Sequence, residues 1–168
     1  MKKFKFLSLI AIAVALLSFT IVGELNKDVP SMDIKTLDGS TFNTSQLKSK
    51  YGKPVFVSFW AQWCTNCIKE LNAISEVYPD WEEETGVKIY AISIDSRNQE
   101  QVGPFAAKKG WEYEVLLDSN SDFFRAVGGT NPPYSFIIDG NGKIVWAHTG
   151  YHEGDEDVVK SVLDKYSK

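Results

Sequence analysis

The sequence predicts one α/β domain, a mixed central sheet with helices on both faces, and three observations carry that reading. Two nearly continuous apolar runs, residues 54–60 and 87–94, are rich in β-branched and aromatic side chains, as central strands buried on both faces require. Between them Ile68, Leu71, Ile74 and Val77 recur at helical spacing, so a crossover helix joins the two strands in parallel. A third apolar run, residues 134–139, leads through Gly140-Asn141-Gly142 into residues 143–148, an antiparallel hairpin that completes the sheet.

The remaining elements follow in order. Residues 1–23 stand apart: Lys2, Lys3 and Lys5 form a basic start, and residues 6–22 run without a charge. That is the layout of an export signal, with small Gly23 at the cut, or of a retained N-terminal membrane anchor. Its basic end stays cytoplasmic and residues 24–168 lie outside. After a short polar linker, residues 32–43 alternate as a small hairpin turning at Leu37-Asp38-Gly39-Ser40. Thr44 or Ser45 caps a short helix ending near Lys50. The crossover helix starts near Cys64 or Thr65, is kinked or interrupted by Pro79, and ends at Gly86. Residues 99–109 read as an inserted helix, 114–117 as a short strand and 118–127 as a helical turn or two. Residues 153–166 close the chain as an amphipathic helix with Val158, Val159, Val162 and Leu163 facing inward.

The chain has 168 residues, 43% of them hydrophobic and 13% aromatic, which is enough for a real core and excludes a disordered chain. Residues 1–23 hold three lysines and no acid, so residues 24–168 carry 15 basic against 22 acidic side chains. A net charge of −7 gives no electrostatic reason to bind nucleic acid or anionic lipid.

Only two cysteines are present, and they sit three apart in Trp63-Cys64-Thr65-Asn66-Cys67, between the first apolar strand and its helix. A thiol at a helix N-terminus meets unpaired backbone N–H groups and the positive end of the helix dipole. Both favour the thiolate, which makes Cys64 the expected nucleophile. Cys67, one turn on and shielded, is the expected resolving thiol. A metal site needs about four ligands, and the only histidines, His148 and His152, lie far off in the chain. A purely structural disulfide closing so short a loop would restrain little of the unfolded chain.

The segment Phe59-Trp60-Ala61-Gln62-Trp63-Cys64-Thr65-Asn66-Cys67 resembles the active-site segment of the thioredoxin superfamily, and its exported TlpA/ResA-like branch in particular. The hairpin near Asp38-Gly39, the strand Ile92-Ser93-Ile94-Asp95, the inserted helix before Leu116-Leu117-Asp118, and Pro133-Tyr134-Ser135-Phe136 resemble that branch too. The resemblance covers the chain from about Val29 onward. It implies a three-layer thioredoxin-like fold with an N-terminal hairpin and an inserted helix. It implies a thiol–disulfide oxidoreductase that needs no cofactor beyond the Cys64–Cys67 disulfide. The expected clients are exported proteins whose disulfides it reduces, in cytochrome c maturation or at metal-site thiols, and a membrane-bound thiol reductant recharges it. The chain is expected to act as a monomer.

By the same resemblance Pro133 falls at the superfamily's cis-proline, opposite the cysteine pair. Here the preceding residue is Pro132, which has no N–H to offer a substrate backbone. The superfamily's buried strand acid falls at Ser58, and Glu70 matches the helix acid of the ResA-like branch, a candidate proton relay for Cys67. The helix proline usual after the second cysteine is Asn72 here. Trp63, Thr65, Asn66 and Pro132 are the candidate substrate contacts, with Asn131 at the rim. Trp60 is expected in the core and His148 as a structural or surface histidine. Three alternatives stay open: a disulfide oxidase or isomerase on the same fold, a peroxiredoxin-like peroxidase, and a copper-binding chaperone. The Thr65-Asn66 dipeptide does not by itself decide the direction of electron flow.

Overall fold

The computed structural model describes residues 25–48 and 52–168. The expected export signal therefore lies outside the described residues. No described helix is long and apolar enough to cross a membrane.

Eight strands form one sheet: β1 (Lys27–Asp28), β2 (Asp33–Thr36), β3 (Thr41–Asn43), β4 (Val55–Trp60), β5 (Lys88–Ser93), β6 (Glu114–Leu117), β7 (Tyr134–Ile138) and β8 (Lys143–Thr149). Their order across the sheet is β1-β8-β7-β4-β5-β6-β2-β3. Strands β4, β5 and β6 run parallel, and β7, β8 and the N-terminal hairpin join antiparallel. Every residue of β4 and β7 is buried, which accounts for sequences that are apolar but for one serine each.

Four helices accompany the sheet: α1 (Thr65–Thr85), α2 (Val102–Lys109), α3 (Asp122–Ala126) and α4 (Asp155–Tyr166). Alternation along β4 divides the core in two. Phe56 and Trp60 pack with α1, α2 and α4 through Leu71, Ile74, Val102, Ala106, Val159 and Leu163. Val55, Val57 and Phe59 face the other way, onto Phe123 and Phe124 of α3 and onto Leu47. Asp118 holds α3 in place: its carboxylate accepts the N–H groups of Asp122 and Phe124 at 3.0 and 2.8 Å.

Five sequence expectations need correction. The short helix after the hairpin is a single 3-10 turn, Thr44–Gln46, and its cap is Asn43, whose side chain accepts the N–H of Ser45. The linker before the hairpin is not wholly irregular, since β1 pairs with β8 at the sheet edge. Pro79 does not interrupt α1, for the helix runs on to Thr85. The ring of Pro79 is exposed, while Ile74, Tyr78 and Trp81 on either side are buried. Burying side chains of that size contributes about 1.5–3 kcal/mol each, against about 3 kcal/mol for a proline in a helix. The inserted helix begins as a 3-10 turn, Gln99–Gln101, before α2. Finally, Val158 is half exposed, and of the four residues expected to face inward only Val159 and Leu163 are fully buried.

Candidate active site

The two cysteines sit where β4 ends and α1 begins. Backbone hydrogen bonds build this junction: Cys64 N–H donates to Ala61 O at 3.0 Å, and Ile68 N–H donates to Cys64 O at 3.1 Å, the first full turn of α1. Cys64 is the N-cap residue, and its Sγ accepts the N–H of Cys67 at 3.2 Å. The sulfur therefore sits on the unpaired donors of the helix N-terminus. Cys64 and Cys67 form a disulfide with their Cα atoms 5.3 Å apart. Cys64 is 8% exposed and Cys67 0%, so a partner sulfur can approach only the first.

The surroundings divide by accessibility. Trp63 is 68% exposed, the largest apolar side chain open to solvent among those described, and Thr65 and Asn66 are exposed with it. Trp60 is fully buried and packs edge-on against Trp111 at 5.0 Å. The Pro132–Pro133 peptide bond is cis. Pro133 is buried, Pro132 half-buried and Asn131 exposed. Because Tyr134 pairs with Phe59, the start of β7 lies beside the end of β4, so the proline pair and the cysteine pair occupy the same end of the sheet.

Behind the disulfide lies Glu70, three residues after Cys67 on α1 and therefore on the same helical flank. It is 5% exposed. Ser58 of β4 donates to its Oε2 at 2.6 Å, and Ser135 of β7 donates to its Oε1 at 2.8 Å. The two serines are direct cross-strand partners, so the sheet delivers one hydroxyl to each carboxylate oxygen. Burial pushes the Glu70 carboxyl up to about 7, the two hydroxyls oppose that rise, and the negative charge of Asp155 adds to it. A buried acid poised near neutrality can take up and release a proton under working conditions.

Sequence reasoning identified Ser58 only as a missing acid and passed over Ser135. The signal was present: each is the single polar residue in an otherwise apolar buried strand, and a buried hydroxyl needs a partner. A groove of about 440 Å³ beside Trp63 was also missed. Gln62, Trp63, Asp95, Ser96, Arg97 and Asn98 line it. Asp95 ties its two walls together, accepting Gln62 N–H at 3.0 Å and the Ser93 hydroxyl at 2.8 Å through Oδ2. Asn72 joins α1 to the segment before β6 by accepting the Trp111 indole N–H at 2.9 Å. His148 is on β8, on the far side of Ser135 from the cysteines' strand.

A disulfide at the N-terminus of the helix that follows a central strand, with a cis-proline at the same end of the sheet, defines a thioredoxin-fold thiol–disulfide oxidoreductase. The chain belongs to the AhpC/TSA family, whose model matches residues 25–147, and within it to the ResA-like branch. A thiol-disulfide oxidoreductase ResA of Bacillus thuringiensis subsp. konkukian is 30% identical over 86% of this chain and 78% of its own length. The solution structure of an uncharacterized thioredoxin-like protein from Porphyromonas gingivalis is 47% identical, with a TM-score of 0.73 over 84% of this chain and 94% of that one. A crystal structure of a putative thiol:disulfide interchange protein DsbE from Chlorobium tepidum has a TM-score of 0.74 over 86% of this chain and 99% of that one. At 22% identity it speaks for the fold alone.

Proposed function

We propose that the protein works outside the cytoplasmic membrane, delivered by residues 1–23, and reduces disulfides of exported proteins. The observation that carries this reading is the asymmetry of the pair: an accessible sulfur on a helix N-terminus, with a fully buried sulfur and a buried acid behind it. In the reduced protein the Cys64 thiolate attacks one sulfur of a client disulfide. A Cys64–client bond forms, and the other client sulfur leaves as a thiolate. Glu70 then takes the proton of the Cys67 thiol. The Cys67 thiolate attacks Cys64, the Cys64–Cys67 bond closes, and the second client sulfur is released. Two electrons have passed to the client, and they return from a membrane-bound thiol reductant. No cofactor enters, because the electrons reside on the sulfurs.

Trp63 offers the client an apolar landing surface, and Thr65 and Asn66 border the sulfurs. Pro133 presents backbone beside the pair. Pro132 lacks an N–H, so docking at that strand edge draws on carbonyl groups. The clients are exported proteins with cysteines to be kept reduced, such as those receiving haem or a metal ion, and the protein acts as a monomer.

The test is the equilibrium reduction potential in thiol redox buffers, followed by tryptophan fluorescence. A value of about −250 mV or lower, in the range of thioredoxin, is expected of a reductase. A value near about −120 mV would make the protein a disulfide donor and reverse the proposed direction.

A further inference from the structure

Glu70 faces more than its two serines. The row Ser58–Ser135 continues one strand further, because His148 of β8 pairs directly with Ser135 of β7. The His148 ring stacks on Trp146, with centroids 5.8 Å apart and planes 18° from parallel. The side chain is 40% exposed, yet its Nε2 is shut off from solvent and makes no hydrogen bond. A buried nitrogen of that kind calls for an explanation.

Its charged neighbour is Asp155, the first residue of α4. Asp155 Oδ2 lies 3.5 Å from His148 Nε2 and 3.7 Å from His152 Nδ1, and it accepts the backbone N–H of His152 at 2.7 Å. Asp155 is also the acid whose charge acts on Glu70. The groups around Glu70 can be taken element by element. Cys67 shares α1, Ser58 comes from β4 and Ser135 from β7. Tyr113, before β6, donates its hydroxyl to Leu71 O at 2.7 Å, and burial pushes its pKa far up. Tyr151, between β8 and α4, donates to Glu156, and its pKa is pushed up to about 12. Neither tyrosine ionises near neutral pH, which leaves Asp155 as the charge on Glu70, with two imidazoles able to compensate it: the exposed His152 and the nearer, less exposed His148.

We propose that His148 is a positioning residue for Glu70: the proton on its imidazole, acting through Asp155, sets how readily the Glu70 carboxyl ionises when Cys67 must give up its proton. Histidine is the side chain whose charge changes near neutral pH. Protonated, it neutralises Asp155 and eases ionisation of Glu70. Neutral, it leaves Asp155 uncompensated, and the two carboxylates repel. This inference rests on the reading of Glu70 as the relay.

The test follows the Glu70 carboxyl by ¹³C NMR in the oxidised protein, beside the pH profile of disulfide reduction by the reduced protein. The variants are His148→Gln, Asp155→Asn, the two combined, and Glu70→Gln. His148→Gln removes the compensating cation and raises the Glu70 midpoint by about half a pH unit, a roughly threefold change in the ionised-to-neutral ratio. Asp155→Asn lowers it, and adding His148→Gln to Asp155→Asn then has little further effect. The pH profile of reduction moves with the same signs. A merely structural role for His148 would change thermal stability without opposite shifts in the two single variants. An unmoved or lowered midpoint in His148→Gln overturns the inference, even where Glu70→Gln abolishes the pH dependence. If instead Glu70→Gln leaves the pH profile as it was, the relay reading itself fails.

Discussion

At Glu70, burial and hydrogen bonding pull in opposite directions, and burial wins. The carboxyl sits at about 7 in the folded chain against 4.5 for an ordinary glutamate. Between those two values the native state holds more protons than the unfolded one, so stability falls as pH rises through that window. Below about 4.5 the acid is neutral in both states and costs nothing; above about 7 the full cost of a buried carboxylate is present. That difference corresponds to about 3 kcal/mol, an upper figure because the unfolded chain is not fully solvated. Glu70→Gln, which retains two groups able to meet the serines, is therefore expected to stabilise the oxidised protein at pH 8 by about 1–3 kcal/mol. The gain should fade toward pH 4.5. Urea unfolding at the two pH values measures it, and an equal effect at both would mean that Glu70 is not held near neutrality. That a protein retains an acid at such a cost fits a role in chemistry rather than in stability.

At the scale of the element, α1 carries both the chemistry and its support. Its first turn holds the disulfide, its second presents Glu70 to the sheet, and Leu71, Ile74, Tyr78 and Trp81 fasten it to the core. Asn72 and Leu71 O anchor its middle to Trp111 and Tyr113. The exposed Pro79 deprives the helix of one internal hydrogen bond while the helix continues past it to Thr85. Pro79→Ala should restore that bond and raise stability by about 1–3 kcal/mol, with the site unchanged. Thermal unfolding and the reduction potential together check this: a lower melting temperature, or a shifted potential, would show that the proline shapes α1 toward the site.

For the molecule as a whole, the sheet gathers groups that the chain keeps far apart. Strand β4 lies between β7 and β5, which brings Ser58 beside Ser135 and sets the cysteine turn near both the cis-proline and the loop from Asp95 to Asn98. That face bears the exposed Trp63 and the groove next to it, and the remaining core is closed over. Trp63→Ala should leave the melting temperature within about 1 °C, since surface changes cost little stability. It should weaken reduction of protein disulfides at least several-fold while leaving the rate with a small disulfide such as oxidised glutathione nearly unchanged. Equal losses with both substrates would place Trp63 in the chemistry and not in docking.

The sequence by itself determined the fold class and the reactive pair, because both are local. Strand and helix periodicities are written in neighbouring residues, and two cysteines three apart after a strand land on one helix turn whatever packs around them. Glu70 was legible through the family resemblance, at a position one turn beyond Cys67. Other features depended on what comes to lie alongside. Pro79 stayed within a helix because burial on both sides of it exceeded its local penalty, and Val158 turned outward because α4 buries a narrower stripe than its apolar residues offered. The serine pair meets Glu70 only through strand register, and the same register sets His148 beside Ser135. Ser58 is 12 positions from Glu70 and Ser135 is 65, and no local pattern encodes a partner across a strand or a sheet.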